Sequence, residues 1–260
     1  MSAVVVEESE DVRSIVTPDL RLRFRRSGDR WSHAIDIRPG PWQTAASAVE
    51  WPADDPSGVP GPTYQELHFQ RDRDGVVALA VGQAGSHHFS ASFRVSYRSW
   101  RRVHFRRDDI LQDRSESLVD IDVADRCRSV GSAVEARYVV HEPPIDTFLG
   151  DSRDGDASAG FSRDWRSSVV WEANVEGNHD VFLRASREPS ASRISILEHQ
   201  EKGSWLVRIA PDQPPTTATS RFSYTWGHAR VKAFHRPTDS GDEPPWNLPG
   251  AIPPTILKPL

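Results

Sequence analysis

Two short stretches of this chain set a carboxylate and a histidine where they could exchange a proton. In Tyr64-Gln65-Glu66-Leu67-His68-Phe69 the acid and the imidazole stand two positions apart. That spacing puts both on one face of an extended strand and turns Leu67 and Phe69 to the other. Lining a cleft, Glu66 and His68 could act as base and acid; on an open face the same pair only hydrogen-bonds. In Ile196-Leu197-Glu198-His199-Gln200 the acid continues the face of Ile194 and Ile196. Glu198 then either emerges at the rim of a core or is a partly buried acid, with His199 next to it, and an acid ending an apolar face is a site candidate. Glu66, His68, Glu198 and His199 are therefore the candidate catalytic residues.

A third stretch, Phe222-Ser223-Tyr224-Thr225-Trp226-Gly227-His228, aligns Phe222, Tyr224, Trp226 and His228 on one face of a regular strand. Such a row is either an aromatic core or a platform for sugar rings, with Trp226 stacking and His228 hydrogen-bonding the ligand. Gly227 could mark a bulge that breaks this facing.

Other reactive residue types form weaker patterns. His87 and His88 are adjacent and point to opposite faces of a strand, so at most one belongs to any site. Asp120 and Asp122 share a face, and Asp151, Asp154 and Asp156 surround Gly155. Neither group matches a calcium loop, which ends in a bidentate acid where this chain has Ser162, and both read as solvated carboxylates. Gly82 and Gly85 lack the strand-to-helix context of a phosphate-cradling loop. No serine sits in a Gly-x-Ser-x-Gly elbow. Cys127 is the single cysteine, which rules out an intrachain disulfide and a multi-thiolate metal site; a nucleophilic role is possible in principle, but with no motif around it the residue reads as a buried, inert thiol. Neither a metal nor a cofactor is expected.

The elements that must position these residues follow a two-residue beat. Across residues 89–97, Phe89, Ala91, Phe93, Val95 and Tyr97 alternate with Ser90, Ser92, Arg94 and Ser96, the pattern of a strand buried on one face and wet on the other. Residues 20–37 read as a hairpin turning at Ser27-Gly28-Asp29, and residues 64–81 as a second turning at Asp74-Gly75. The return strand 76–81 is apolar almost throughout, which predicts a strand covered on both faces in the middle of a sheet. Further strands are expected around residues 103–105, 119–123, 138–140, 169–171, 181–183, 194–196, 205–209 and 222–231, at least ten in all. A flexible acidic lead-in (1–11) precedes one sandwich domain (12–235) with a long loop at about 143–166. A proline-rich extended tail (236–260) follows it.

Closely spaced strands without helices between them predict an all-β fold, a large antiparallel two-sheet sandwich, with a closed or partly open β-barrel as the alternative. Such a sandwich resembles in outline the large two-sheet folds of sugar mutarotase-like and other carbohydrate-active proteins, in architecture but in no catalytic motif. The chain has 260 residues and a net charge of −5, which disfavours nucleic acid as a partner. The Arg-rich run Arg98, Arg101, Arg102, Arg106 and Arg107 could clamp an anion, but reads as solvated strand and turn positions. No signal peptide or apolar span is evident, so a cytoplasmic protein with no membrane contact is expected. The reading is a protein that binds a carbohydrate or polyol, with processing by the His/carboxylate pairs as its enzymatic version. The alternative is a non-catalytic interaction module, self-associating or docking a partner through the tail.

Overall fold

The computed structural model describes residues 4–37, 46–50, 61–73, 75–104, 110–127, 134–140, 146–148, 168–172, 178–186, 191–198, 204–212 and 218–235. These form sixteen strands and no helix. Among them, no helix is long and apolar enough to cross a membrane.

The chain alternates between two antiparallel sheets of eight strands each. β1 (Val5–Glu8), β2 (Val12–Val16), β3 (Leu20–Ser27), β4 (Arg30–Ile37) and β5 (Ala46–Glu50) lie side by side in the first. The second opens with β6 (Glu66–Asp72), β7 (Gly75–Ala84), β8 (His87–His104) and β9 (Ile110–Cys127). β10 (Ala136–Val140) returns to the first sheet beside β5, and β11 (Asp146–Phe148), β12 (Ser168–Glu172) and β13 (Asn178–Ala185) extend the second. β14 (Ser192–Glu198) and β15 (Trp205–Pro211) complete the first, with β15 beside β10. β16 (Thr219–His235) then inserts between β13 and β9. Among the described residues each sheet ends in two strands paired on one side only, β1 and β14 in one and β11 and β6 in the other. The architecture is therefore the expected sandwich and not a closed barrel.

The two-residue beat explains the core. Phe89, Phe93 and Val95 of β8, Val119, Ile121 and Val123 of β9, and Phe222, Tyr224 and Trp226 of β16 are all buried, and they meet Leu20, Leu22, Phe24 and Ile35 of the opposing sheet in one cluster. Phe24 meets Phe93 edge-on, with ring centroids 5.1 Å apart. A polar chain crosses this apolar layer. His33 Nε2 on β4 lies 2.7 Å from the Tyr138 hydroxyl on β10, which lies 2.7 Å from the Tyr224 hydroxyl on β16. Three buried side chains thus link His33 Nε2 and two hydroxyls across both sheets.

Both expected hairpins form, the second with Gly75 in the ladder opposite Asp72 and not in the turn. Gly28 turns the first with φ 63°, a conformation that costs glycine little. β3 and β4 then pair from Leu20↔Ile37 to Ser27↔Arg30.

Three expectations are corrected. The acidic start supplies a strand, β1, paired with β2 from Val5↔Val16 to Glu8↔Arg13. β7 is second from an edge and covered on one face only: Leu79 and Val81 are each 41% exposed. Gly227 makes no bulge, because β16 pairs with β9 without interruption from Thr219↔Arg126 to His235↔Ile110. Glycine is needed there for another reason. The Phe182 ring lies across it from β13, and an added Cβ would come within 2.2 Å of that ring.

Within the expected loop at 143–166, Asp146–Phe148 forms β11, and the rest of that loop and the tail 236–260 lie outside the described residues.

Candidate functional site

Among the described residues the sequence candidates do not converge. Glu66 and His68 share the outer face of edge strand β6, as their spacing requires, with Glu66 Oε2 3.6 Å from His68 Nε2 and side chains 69% and 72% exposed. Leu67 is buried on the inner side and Phe69 packs against the core. Across the ladder, Glu66 faces Val81 and His68 faces Leu79. An acid–imidazole pair thus stands beside two exposed aliphatic side chains. Leu67 O at this edge accepts a hydrogen bond from Arg13 Nη1 at 3.0 Å, which occupies part of the open strand edge.

Trp226 and His228 lie on the inner face of β16, and their exposures of 1% and 0% place them in the core. The row Phe222, Tyr224, Trp226 and His228 is the aromatic core and not a platform open to a ligand. Trp226 packs edge-on against Tyr138, centroids 5.5 Å apart. The Asp19 carboxylate lies 4.0 Å from His228 Nδ1. Three strands separate β6 from β16, about 19 Å at the usual strand spacing.

Glu198 ends β14 opposite Trp205. β14 lies against β13 and β16 while β6 lies against β4, so Glu198 and Glu66 occupy opposite flanks of the sandwich. His199 lies outside the described residues.

The paired carboxylates of β9 are engaged as ladder partners. Asp122 accepts two hydrogen bonds from Arg221 Nε at 2.9 and 3.0 Å, another from Arg221 Nη2, and one from the Ser223 hydroxyl at 2.9 Å. Partial burial alone would raise the Asp122 pKa, but the hydrogen bonds from Arg221 and Ser223 and the Arg221 charge outweigh it and hold the carboxyl below its ordinary value. Asp120 accepts from the Thr225 hydroxyl at 2.7 Å. Among the described residues no group of three or more His, Cys, Asp or Glu side chains could hold a metal ion. Of the Arg-rich run, Arg98 is exposed opposite Glu116 on β9, and the side chains of the other four lie outside the described residues.

Comparison with protein-family models, with curated proteins and with solved structures gave no match. Function must be argued from geometry alone.

One constellation went unrecognised in the sequence. A two-residue turn, Gly85-Ser86, joins β7 to β8, with Gly85 at φ 59°. It starts β8 at His87, which pairs with Cys127, the last residue of β9. Asp125, two residues back along β9, shares that face. His87 Nε2 lies 3.5 Å from Cys127 Sγ, and His87 Nδ1 lies 2.9 Å from Asp125 Oδ2. Ser86 Oγ stands 3.4 Å from the same sulfur. Phe89 stacks parallel to the imidazole, centroids 5.8 Å apart. The adjacent pair His88 and Arg126 points to the outer face and is exposed, in keeping with the rule that only one of the two histidines could join a site.

Proposed function

We propose that the protein is a binding module that holds a saccharide or similar polyol on the outer face of β6 and β7. The carrying observation is the exposed Glu66–His68 pair, facing Val81 and Leu79 directly across the ladder. A sugar presents hydroxyls beside C–H surface. Glu66 can accept from hydroxyls, the imidazole can donate or accept, and the two aliphatic side chains suit the C–H face. Gln70, exposed on the same face two residues beyond His68, adds a further donor and acceptor. Binding without turnover is favoured over acid–base processing, because a pair this open does not exclude water from a reacting centre.

The test is a panel of saccharides and polyols screened by ligand-observed NMR against the wild type and a Glu66→Gln/His68→Ala double variant. Binding by the wild type and its loss in the variant is expected. The variant's stability should stay within about 0.5 kcal/mol of the wild type, because both side chains are exposed. A panel with no binder, or a variant that binds as the wild type does, overturns the proposal.

A further inference from the structure

The cluster at the β7–β8 turn carries an inference independent of the outer-face reading. We propose that Cys127 is a peroxide-reactive thiol, with His87 as its proton acceptor and donor and Asp125 as the residue that positions the imidazole. The three side chains form a relay in which each imidazole nitrogen has its own partner, sulfur on one side and carboxylate on the other. A carboxylate on Nδ1 directs the proton there and leaves Nε2 to take the proton of the thiol, forming a thiolate–imidazolium pair. The second carboxylate oxygen, Asp125 Oδ1, is buried with no hydrogen-bond partner among the described residues, so the imidazole is the group there that orients against this carboxylate, through Nδ1.

Two features select the electrophile. Cys127 is only 4% exposed, which favours a small reagent over a peptide or other bulky acyl donor. Its own backbone N–H donates to Ala218 O at 2.8 Å, so the amide beside the nucleophile is not free to stabilise an oxyanion as acyl transfer would ask. Hydrogen peroxide is small and needs only a proton for its departing oxygen.

The step balances with no further reactant. His87 Nε2 takes the thiol proton, and the sulfur attacks one peroxide oxygen. The S–O bond forms as the O–O bond breaks, and the proton on Nε2 passes to the departing oxygen. The products are a sulfenic acid at Cys127 and one water; sulfur is oxidised by two electrons and the peroxide is reduced. With a single cysteine in the chain, no intrachain thiol can resolve the sulfenic acid, which would persist or be captured by an external thiol.

The experiment exposes the native protein to hydrogen peroxide at pH 7 and quenches aliquots with catalase. The remaining thiol is counted after denaturation, and the sulfenic acid is trapped with dimedone and weighed by mass spectrometry. The reference is the same chain unfolded in guanidinium chloride. An ordinary thiol is only a few per cent thiolate at this pH, so full ionisation raises the rate by up to about 30-fold over the unfolded chain. His87→Gln and Asp125→Asn should each remove most of that gain while circular dichroism retains the strand signal. A native rate no higher than the unfolded rate overturns the proposal, and so does a folded His87→Gln protein that reacts as fast as the wild type. The native-against-unfolded comparison needs no variant, so it decides the matter even if a substitution prevents folding.

Discussion

Replacing Tyr138 by Phe removes the central hydroxyl of the polar chain that joins the two sheets and leaves the ring in place. That oxygen lies 2.7 Å from His33 Nε2 and 2.7 Å from the Tyr224 hydroxyl, and all three residues are buried. Its loss deletes two hydrogen bonds and takes one partner each from His33 and Tyr224, at a cost of about 3 kcal/mol. Tyr224→Phe deletes the link between the two hydroxyls, and Tyr138 keeps its bond to His33, so the cost is about 1 kcal/mol. In the double variant the Tyr224 hydroxyl is gone, and that part of the Tyr138→Phe penalty disappears with it. The pair therefore costs about 3 rather than 4 kcal/mol, a coupling near 1 kcal/mol. Urea unfolding followed by tryptophan fluorescence reads this directly, because buried Trp226 packs against the Tyr138 ring. With m about 2 kcal/mol/M, the Tyr138→Phe midpoint should fall by about 1.5 M and the Tyr224→Phe midpoint by about 0.5 M. Equal shifts for the two single variants, or strictly additive effects, would refute the account of the chain as a shared network.

Two further outcomes follow from the second sheet. Gly227→Ala drives a methyl group into the buried Phe182 ring, over which the Arg184 guanidinium stacks at 4.1 Å. It should lower stability by about 1–3 kcal/mol in a thermal melt, and pairing it with Phe182→Ala should recover part of the loss relative to the sum of the single changes. Arg221→Gln should weaken the protein's acid response. The Asp122 pKa is lower folded than unfolded, so between the two values the unfolded chain binds more protons and stability rises with pH. The contribution is fully present above the ordinary carboxylate value of 3.8 and is lost as pH falls through the lowered folded value. Because Arg221 is 55% exposed, it is worth at most about 1 kcal/mol. Urea midpoints at pH 7 and pH 3 should differ less in Arg221→Gln than in the wild type, and an unchanged difference would remove the assignment.

Local alternation made the sandwich legible because a buried face leaves a period in the chain wherever it exists. It marked Phe89, Phe93 and Val95 as inward and the Gly28 hairpin as a turn, and both are as expected. It missed what backbone pairing sustains without help from side chains. β8 continues past Tyr97 through Arg98, Ser99 and Trp100, where no alternation survives, because its partner β9 supplies the ladder out to His104↔Ile110. β1 is an edge strand with mostly exposed side chains, and so shows no apolar period at all. The misreading of β7 has a different cause. An apolar outer face has the same local pattern as a covered one, yet Leu79 and Val81 stand exposed beside Glu66 and His68. The face of each candidate was readable, but whether Glu66, Glu198 and Trp226 would meet depended on sheet order, which no local pattern encodes. The same holds for His87 and Cys127, far apart in the chain until one register brings them together.

That register also explains why a reactive cluster can form in a fold so regular. In the middle of a strand a side chain is either sealed in the core, as Trp226 and His228 are, or immersed in solvent, as His68 and Gln70 are. A strand end offers a third condition, in which His87 and Cys127 keep 8% and 4% of their surface against 1% and 0% for Trp226 and His228. His87 opens β8 and Cys127 closes β9, and antiparallel pairing sets an opening residue against a closing one. What keeps them paired lies elsewhere along the same strands. Slipping β8 by one residue would turn Phe89, Phe93 and Val95 from the core to the solvent. At about 1.5–3 kcal/mol for each buried side chain, that costs roughly 5–9 kcal/mol. The imidazole is therefore held against the sulfur less by its own contacts than by the aromatic residues next in line, and a substitution such as Phe93→Ala, remote from the thiol, acts on the cluster through the strand that carries it.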